Sequence, residues 1–352
     1  MRDLGSIRDL LREHGLDRVS EVPFPNDGWS GASLTRLRRS DGRSFILKRD
    51  SLARDWIARA TADRPILREA WFAAHGSPLP WPMRAPYVGA GWDEATGDVG
   101  ILMPDLSDVL FDWDTPLTVS RLDRVLDALA ALHAHSWAEA LGRGADHWTP
   151  WRERITLICR SSLERPGPAR DAVADRIVPG WDAWDRLATP AVRAVIASLG
   201  DDPSPLLDAL AREQSTLIHG DLKLANAGIA ADGAIEVIDW QMVMVAPLAI
   251  EMGWFLVSNV ASLPLPSGEV LARYRSRLSS ALADPENGRR QAGGAALDDG
   301  GVHAAILVGL LLRGWRKGLD AEAGITLASG VSAADDLAWW CERAVEAADR
   351  LF

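Results

Sequence analysis

Alternating apolar and polar residues near the start of the chain predict a small β-sheet with one helix. Residues 33–37 alternate polar and apolar side chains, and a glycine-bearing turn signal separates them from a second strand at 44–48. Residues 66–74 have a helical pattern and are followed by a segment with three prolines. Residues 99–103 then form a short apolar strand that ends at Pro104. We expect a hairpin, a helix and a further strand here.

Apolar residues in the rest of the chain recur mostly at helical spacing. Ser120 and Asp123 form a candidate capping box at the start of a helix that runs to about Trp137. Three further helices are predicted, over residues 205–214 after an N-cap at Ser204, about 302–318, and about 333–350.

Two short apolar runs, residues 216–218 and 235–238, interrupt this helical part and predict strands. Two other segments lack periodicity. Residues 142–185 are rich in arginine, aspartate, proline and tryptophan, so we expect irregular structure there. Residues 284–301 are rich in glycine and charge and predict a mobile loop.

Composition is that of a soluble globular protein. A length of 352 residues favours about two lobes, and 47% hydrophobic residues supply a large core. The net charge of -11 argues against nucleic acid or an anionic membrane as a partner. Cys159 and Cys341 form no CxxC pair, and neither a signal peptide nor a membrane-spanning stretch is evident. We expect a cytoplasmic protein whose oligomeric state stays open.

The strongest chemical signal lies between the two short apolar runs. Residues 219–226 read HGDLKLAN, and Asp239 ends an apolar strand 13 residues after Asn226. A histidine, an aspartate and an asparagine at this spacing, followed by a strand-end aspartate, are typical of kinase active sites. Asp221 is expected to accept the proton of an acceptor hydroxyl, and Lys223 to reach the transferring phosphate. Asn226 and Asp239 are expected to hold Mg²⁺. The alternative is a solvated polar loop.

Upstream residues supply the nucleotide-binding groups that phosphoryl transfer requires. Lys48 ends a predicted strand and Glu69 lies on the predicted helix that follows, which is the order of a phosphate-holding lysine and its carboxylate partner. The alternative for Glu69 is a surface acid. Adenine is expected near residue 104. There Met103 would line the pocket, the Pro104 carbonyl would accept a hydrogen bond, and the Leu106 N–H would donate one. The alternative is a plain linker.

The segment from Gly28 to Ser33 is the weakest candidate. It matches neither GxGxxG nor the Walker A pattern. Ser30 and Gly31 nevertheless allow close backbone approach to phosphates and offer N–H and O–H donors. A structural turn explains this segment about as well.

These motifs resemble those of the aminoglycoside phosphotransferase and choline-kinase-like family over about residues 28–255. HGDLKLAN is similar to the family's catalytic loop, with Gly220 where protein kinases place arginine. VIDWQ at residues 237–241 is similar to its metal-binding strand end, and residues 129–133 to the first helix of its C-terminal lobe. The segments GWRK and LAWW near the C-terminus resemble a tryptophan-rich bacterial subgroup of unassigned substrate.

The resemblance implies an α+β, bilobal protein-kinase-like fold with a small, mostly β N-lobe and a larger, mostly α C-lobe. The implied bounds are an N-lobe at 1–103, a hinge at 104–107 and a C-lobe at 108–352. ATP with Mg²⁺ and O-phosphorylation of a small molecule are implied with it. One position departs from the family, because the expected aspartate after the metal-binding loop is absent and Glu251 lies one position later. Whether Glu251 replaces that aspartate stays open here.

A small-molecule O-kinase is therefore the favoured function, with an aminoglycoside-like acceptor ahead of a neutral sugar, an amino sugar or a choline-like alcohol. A nucleotide-binding pseudokinase and a protein or lipid kinase are the alternatives, and no activation segment with an APE sequence follows Asp239. GTP in place of ATP stays open. Acids interleaved with indoles are candidates for binding a cationic acceptor: Asp112, Asp114, Asp146, Glu251, Asp335, Asp336 and Glu342, near Trp148, Trp151, Trp339 and Trp340.

Overall fold

A five-stranded antiparallel sheet forms the N-terminal part of the protein, and most of the remaining chain is helical. The computed structural model describes residues 4–26, 28–61, 66–76, 78–113, 115–135, 147–283 and 296–352. The N-terminal elements are α1 (Ile7–Glu13), β1 (Glu21–Phe24), β2 (Ser33–Arg38), β3 (Ser44–Asp50), α2 (Trp56–Ala60), α3 (Arg68–His75), β4 (Met83–Arg84), β5 (Gly89–Asp93) and β6 (Asp98–Pro104).

The strand order β1-β2-β3-β6-β5 places β3 at the centre of this sheet. Both faces of the sheet are covered. Helix α1 packs Ile7 and Leu10 against Leu47 on one face, and Leu67 and Ala70, at the start of α3, pack against the opposite face. The central strand is therefore buried on both sides, which fixes the direction of every side chain along it.

The C-terminal part is built mainly from long helices. Its elements are α4 (Val119–Ala134), α5 (Trp151–Arg154), α6 (Arg160–Glu164), α7 (Pro168–Leu187), α8 (Pro190–Asp201), α9 (Ser204–Leu210), β7 (Ser215–Ile218), β8 (Ala227–Ile229), β9 (Ile235–Val237), β10 (Met244–Pro247), α10 (Leu248–Asn259), α11 (Ser267–Ala283), α12 (Asp299–Glu322) and α13 (Ala333–Leu351). Two 3₁₀ turns, Leu224–Asn226 and Trp240–Met242, separate the short strands.

Helices α10 and α12 cross at the centre of this part. A Cβ added to Gly253 would lie 2.3 Å from the Ala305 carbonyl oxygen, so the crossing requires glycine. Nearly every residue of α10 is buried. None of the helices in the described ranges is long and apolar enough to cross a membrane.

The predicted α+β class is confirmed, as are the strands at β2, β3, β6, β7 and β9 and the helices at α3, α12 and α13. The prediction of irregular structure over 142–185 is wrong where α5 and α6 form and from residue 168 onward, where α7 begins. Helix α7 is the longest of the three. Its buried positions, which include Val173, Ile177, Trp181 and Trp184, recur at helical spacing, but the surrounding charges and Pro179 obscure the pattern.

Three helix boundaries also differ from the prediction. Thr118, not Ser120, caps α4, because its hydroxyl accepts from the Arg121 N–H, and α4 ends before Trp137, which lies outside the described residues. Ser204 is the first residue of α9, and the helix ends at Leu210. Most of the predicted loop at 284–301 lies outside the described residues, while its last three residues begin α12.

Candidate active site

Lys48 joins two carboxylates that lie far apart in the sequence. Its Nζ donates to Glu69 Oε2 at 2.5 Å and to Asp239 Oδ1 at 2.7 Å. Burial alone would lower the pKa of Lys48, but the charges of Asp239 and Glu69 raise it above its ordinary value. Burial would in turn raise the pKa of Asp239, and Lys48 holds it below its ordinary value. The structure thus brings together three residues that the sequence placed in one nucleotide site.

Tyr87 completes this network and was missed in the sequence. Its hydroxyl donates to Glu69 Oε1 at 2.7 Å and accepts from the Trp240 N–H at 3.2 Å. The rings of Phe72 and Trp240 stack with their centroids 4.7 Å apart. Helix α3 is therefore bonded to the backbone that follows Asp239. A lone tyrosine after a proline-rich segment carries no pattern from which this contact could be predicted.

Asp239 has an unusual backbone. Its φ of 66° and ψ of 49° are left-handed, and it is the one non-glycine residue with a positive φ in the described part of the chain. Such conformations persist where the surrounding structure imposes them, often at functional sites. Here the Lys48 contact and the Tyr87–Trp240 hydrogen bond hold the segment on both sides.

The loop after β7 is held by its own histidine and glycine. His219 Nδ1 accepts from the Asp221 N–H at 3.2 Å, so the proton assigned to Nε2 is directed at the Ile238 carbonyl, 2.9 Å away. Gly220 has a φ of 79°, and a Cβ there would lie 2.3 Å from the Met242 carbonyl oxygen. These contacts tie the loop to the strand end that carries Asp239.

Asp221 lies at the centre of this loop with one oxygen free. Its side chain is only 4% exposed, and Oδ2 accepts from Lys223 Nζ at 3.1 Å. Oδ1 is buried and has no hydrogen-bond partner among the described residues. Asn226 approaches the same segment, since its side-chain Nδ2 lies 3.4 Å from the backbone carbonyl oxygen of Asp221. The backbone carbonyl of Asn226 accepts from the Ile238 N–H. Asp221 can therefore accept a further proton or hydrogen bond at Oδ1.

Glu251, at the start of α10, bonds directly to the loop. Its Oε2 accepts from the His219 N–H at 2.6 Å and from the Gly220 N–H at 3.2 Å, and burial raises its pKa. Asn259 on the same helix holds the next residues of the loop, because its side chain bonds the Leu222 carbonyl and the Leu224 N–H. The helix is thus linked to the loop through Glu251, at the position where the sequence departs from the family.

We expect Glu251→Ala to destabilise the protein by roughly 1–3 kcal/mol for each of the two amides left unpaired. Glu251→Gln keeps an acceptor oxygen and should lose less. Urea unfolding, read as the midpoint at constant slope, measures both. Glu269→Gln is the matched control, since it alters an exposed carboxylate paired with Arg273 and should change stability by no more than ~0.5 kcal/mol. An unfolding midpoint of Glu251→Ala equal to that of the wild type would contradict the structural role.

The predicted adenine and phosphate segments lie on either side of β3. Met103 is buried and lies opposite Ile46, and Pro104 lies opposite Phe45. Ser30 is buried, and Gly31 has a φ of 91°. Leu106 follows the strand, and its carbonyl accepts from the Val109 N–H. Their roles toward a nucleotide stay predictions.

Most of the acids predicted to bind an acceptor either bond to other residues of the protein or are exposed to solvent. Asp336 pairs with Lys317 in the interior, and the Asp335 carboxylate accepts from the Ser332 hydroxyl at the start of α13. Glu342 and Asp112 are exposed, whereas Trp340 is fully buried in the core. Asp114 and Asp146 lie outside the described residues. The described acids are thus not gathered into a site for a cationic acceptor.

Solved structures of similar fold cover nearly the whole chain. A Ralstonia eutropha JMP134 protein, provisionally designated an aminoglycoside phosphotransferase, is 14% identical, covers 98% of each chain and has a TM-score of 0.50. Choline kinase of Streptococcus pneumoniae is 11% identical, with 98% of this chain and 99% of that chain covered and a TM-score of 0.49. Macrolide 2′-phosphotransferase of Brachybacterium faecium is 18% identical, with coverages of 99% and 98% and a TM-score of 0.46. The first likeness supports the predicted fold.

No curated protein matches the chain. The profile of the phosphotransferase enzyme family matches residues 23–289, a stretch that contains Lys48, Glu69, Asp221 and Asp239. This stretch is well over half of the chain and includes every contact of the Lys48 network and of the catalytic loop. The resemblance seen in the catalytic-loop motif is thereby confirmed: the protein belongs to the phosphotransferase enzyme family and is a small-molecule kinase.

Proposed function

We propose that the protein transfers the γ-phosphate of ATP, bound with Mg²⁺, to a hydroxyl group of a small molecule. The observation that carries this proposal is the buried Oδ1 of Asp221, which has no partner among the described residues. Its loop is tied to the strand end that carries Asp239, and Asp239 pairs with Lys48 of β3. A site with a proton acceptor next to a lysine–carboxylate network has the parts that phosphoryl transfer requires.

The residues near Asp239 fit a magnesium ion. Carboxylate and amide oxygens are the ligands that Mg²⁺ prefers, and Mg²⁺ on a nucleotide usually needs only one or two of them besides the phosphates. Asp239 uses Oδ1 for Lys48, and among the described residues its Oδ2 has a single hydrogen bond, from Gln241 at 3.5 Å. Asp239 and Asn226 would hold the ion. Bound there, Mg²⁺ would offset the negative charge of the phosphates.

Four residues of the site each have a defined role in this proposal. Lys48 holds the phosphates, and Glu69 keeps it in place. Asp221 Oδ1 accepts the proton of the acceptor hydroxyl as the new O–P bond forms, and the bond from the γ-phosphorus to its bridging oxygen breaks, with ADP leaving. Lys223 orients Asp221 through Oδ2 and adds positive charge beside the transferring group.

We propose the nucleotide contacts for the same residues that were predicted from the sequence. We assign residues 1–103 to the N-lobe, 104–107 to the hinge and 108–352 to the C-lobe. Adenine would lie against Met103, with the Pro104 carbonyl and the Leu106 N–H as its partners. Ser30 and Gly31 would approach the phosphates. An aminoglycoside-like acceptor stays a prediction, as do its sugar and choline-like alternatives.

ATP should stabilise the protein only when Mg²⁺ is present. At 100 times its Kd a ligand adds about 2.7 kcal/mol to the free energy of unfolding, and without the ion the carboxylates of Asp221 and Asp239 oppose a triphosphate. Thermal unfolding with ATP and Mg²⁺, compared with ATP and EDTA, measures this. Mass spectrometry of hydroxylated compounds incubated with ATP and Mg²⁺ then tests transfer. An equal shift of the Tm in EDTA would contradict the metal-dependent site.

A further inference from the structure

Three cationic side chains converge on the indole ring of Trp254, beside the catalytic loop. The Cζ atoms of Arg154 and Arg313 lie 4.4 and 5.3 Å from the ring centroid, and Lys223 Nζ lies 5.8 Å from it. Lys223 also donates to Asp221 at 3.1 Å. We call Arg154, Arg313, Lys223 and Trp254 the cation cluster. It borders the carboxylate that faces the acceptor in the proposed function.

Arg154 is a buried charge with unused donors. It is 1% exposed, and Nη2 donates to the Gly220 carbonyl at 3.2 Å. Its Nε and Nη1 are buried without a hydrogen-bond partner, and it forms no ion pair with the described residues. A buried charge is costly unless it is paired and hydrogen-bonded. Gly220 precedes Asp221, so the free donors lie next to the catalytic loop.

Arg313 lies at a break in α12. Its φ of -137° and ψ of 17° are not helical, and the next residue, Gly314, is packed tightly against Trp181. Its Nε also has no partner among the described residues. The break places the guanidinium between two indole rings, with its Cζ 5.3 Å from the Trp254 centroid and 5.0 Å from the Trp315 centroid.

The cluster continues to the predicted phosphate segment. The ring centroids of Trp315 and Trp29 are 6.3 Å apart, and Trp29 belongs to the segment from Gly28 to Ser33. Trp29 is 42% exposed, and the Cζ atom of Arg176 lies 5.2 Å from its ring centroid. The cations therefore lie along a path from Asp221 to this segment, where a molecule accepting the γ-phosphate would have to lie.

The cluster is separate from the Lys48 network. Its residues come from α5, the catalytic loop, α10 and α12, whereas Lys48, Glu69 and Asp239 come from β3, α3 and the end of β9. The nucleotide phosphates already have Lys48 and the predicted metal ligands as partners. The charge of Asp221 already faces both Arg154 and Arg313. Their guanidinium donors without a hydrogen-bond partner among the described residues are free to bind a second anion.

We infer that the acceptor carries an oxyanion, a carboxylate or a phosphate, which Arg154 and Arg313 bind while its hydroxyl faces Asp221. This inference rests on the proposed function. The planar guanidinium fork matches both oxyanions, and the indole rings of Trp254 and Trp315 would pack against the carbon skeleton. The same cations would repel an aminoglycoside, so the structure favours a different acceptor class from the one the sequence favours.

Four sugars with one ring and different charges test this: glucuronate, glucose 6-phosphate, glucose and glucosamine. Each is incubated with ATP and Mg²⁺, and phosphorylated product is measured by mass spectrometry. A larger set of hydroxylated compounds, grouped as anionic, neutral and cationic, follows. We expect the highest kcat/KM in the anionic group, and the two anionic sugars distinguish carboxylate from phosphate. Higher values for the neutral or cationic group would overturn the inference and leave the proposed function standing.

Arg313→Gln should raise the KM of the best anionic acceptor about 10-fold or more, which is the loss of one hydrogen bond to a charged group. The KM of ATP should stay within about threefold. Arg313→Lys keeps the charge and should recover part of the loss. Arg186→Gln removes an exposed arginine paired with Glu322 and is the matched control. A rise in the KM of ATP alone would assign the cluster to the nucleotide instead.

A binding measurement without turnover distinguishes failure of this inference from failure of the proposed function. With the nucleotide site saturated by a non-hydrolysable ATP analogue and Mg²⁺, glucuronate or inorganic phosphate should raise the Tm of the wild type but not that of Arg313→Gln. No rise in the wild type, with no anionic product, overturns the inference. If ATP with Mg²⁺ also fails to stabilise the protein and no compound is phosphorylated, the proposed function fails and the inference falls with it.

Discussion

Asp221→Asn is expected to lower kcat by about 10²–10⁴-fold, the range that a general base contributes. The amide keeps the size of the side chain but cannot take the proton of the acceptor hydroxyl at Oδ1, the oxygen that has no partner among the described residues. Affinity for ATP with Mg²⁺ should persist, because Lys48 and Asp239 are unchanged. Steady-state phosphorylation and the ATP-induced shift of the Tm measure the two effects separately.

Asp232→Asn is the matched control for this variant. Asp232 lies in an exposed turn and pairs with Arg84, so the same chemical change there should leave kcat unaltered. If Asp221→Asn retained more than about a tenth of the wild-type kcat, the role of Asp221 as proton acceptor would be wrong. A loss of ATP binding together with activity would instead indicate that the substitution disturbs the whole loop.

Asp239→Asn should weaken metal-dependent nucleotide binding by at least about 10–100-fold, the loss seen even when a supporting residue of a metal site is removed. The substitution removes the charge that faces Lys48 at 2.7 Å and a carboxylate oxygen that suits Mg²⁺. Titration with ATP at fixed Mg²⁺, followed by calorimetry or by the Tm, measures the change.

Glu69→Gln separates the loss of a metal ligand from the loss of a lysine partner. Glu69 also binds Lys48, at 2.5 Å, but belongs to α3 and has no predicted metal contact. This variant should lower kcat/KM while ATP binding still depends on Mg²⁺. Equal affinity of Asp239→Asn and the wild type for ATP with Mg²⁺ would remove Asp239 from the metal site.

The sequence by itself determined the elements whose pattern is local. The catalytic loop lies between two apolar runs, and its histidine, aspartate and asparagine occur at one spacing within eight residues. Lys48 could be placed because it ends the second strand of a predicted hairpin and precedes a helix that carries an acid. These signals can be recognised in the sequence because strands and helices impose periods of two and 3.6 residues on the chain.

Tertiary structure alone decided which residues support the catalytic loop and the Lys48 network. Tyr87, Glu251 and Asn259 belong to residue types found anywhere, and their contacts join segments that are far apart in sequence. Helix α7 was missed because charged residues and a proline surround its buried positions, which face α12 only after the chain has folded.

The cation cluster is the clearest example of a feature that only the tertiary structure decided. Arg154 lies in a four-residue helix within a segment predicted to be irregular, and Arg313 looks like one more charge on an apolar helix. Neither has a neighbour in the sequence that indicates an anion. We assign them to an anion because they have buried donor atoms without partners among the described residues. The burial and the lack of partners both result from packing around Trp254. A residue pattern records the period of an element, whereas the charge around a site is the sum of side chains that only the fold brings together.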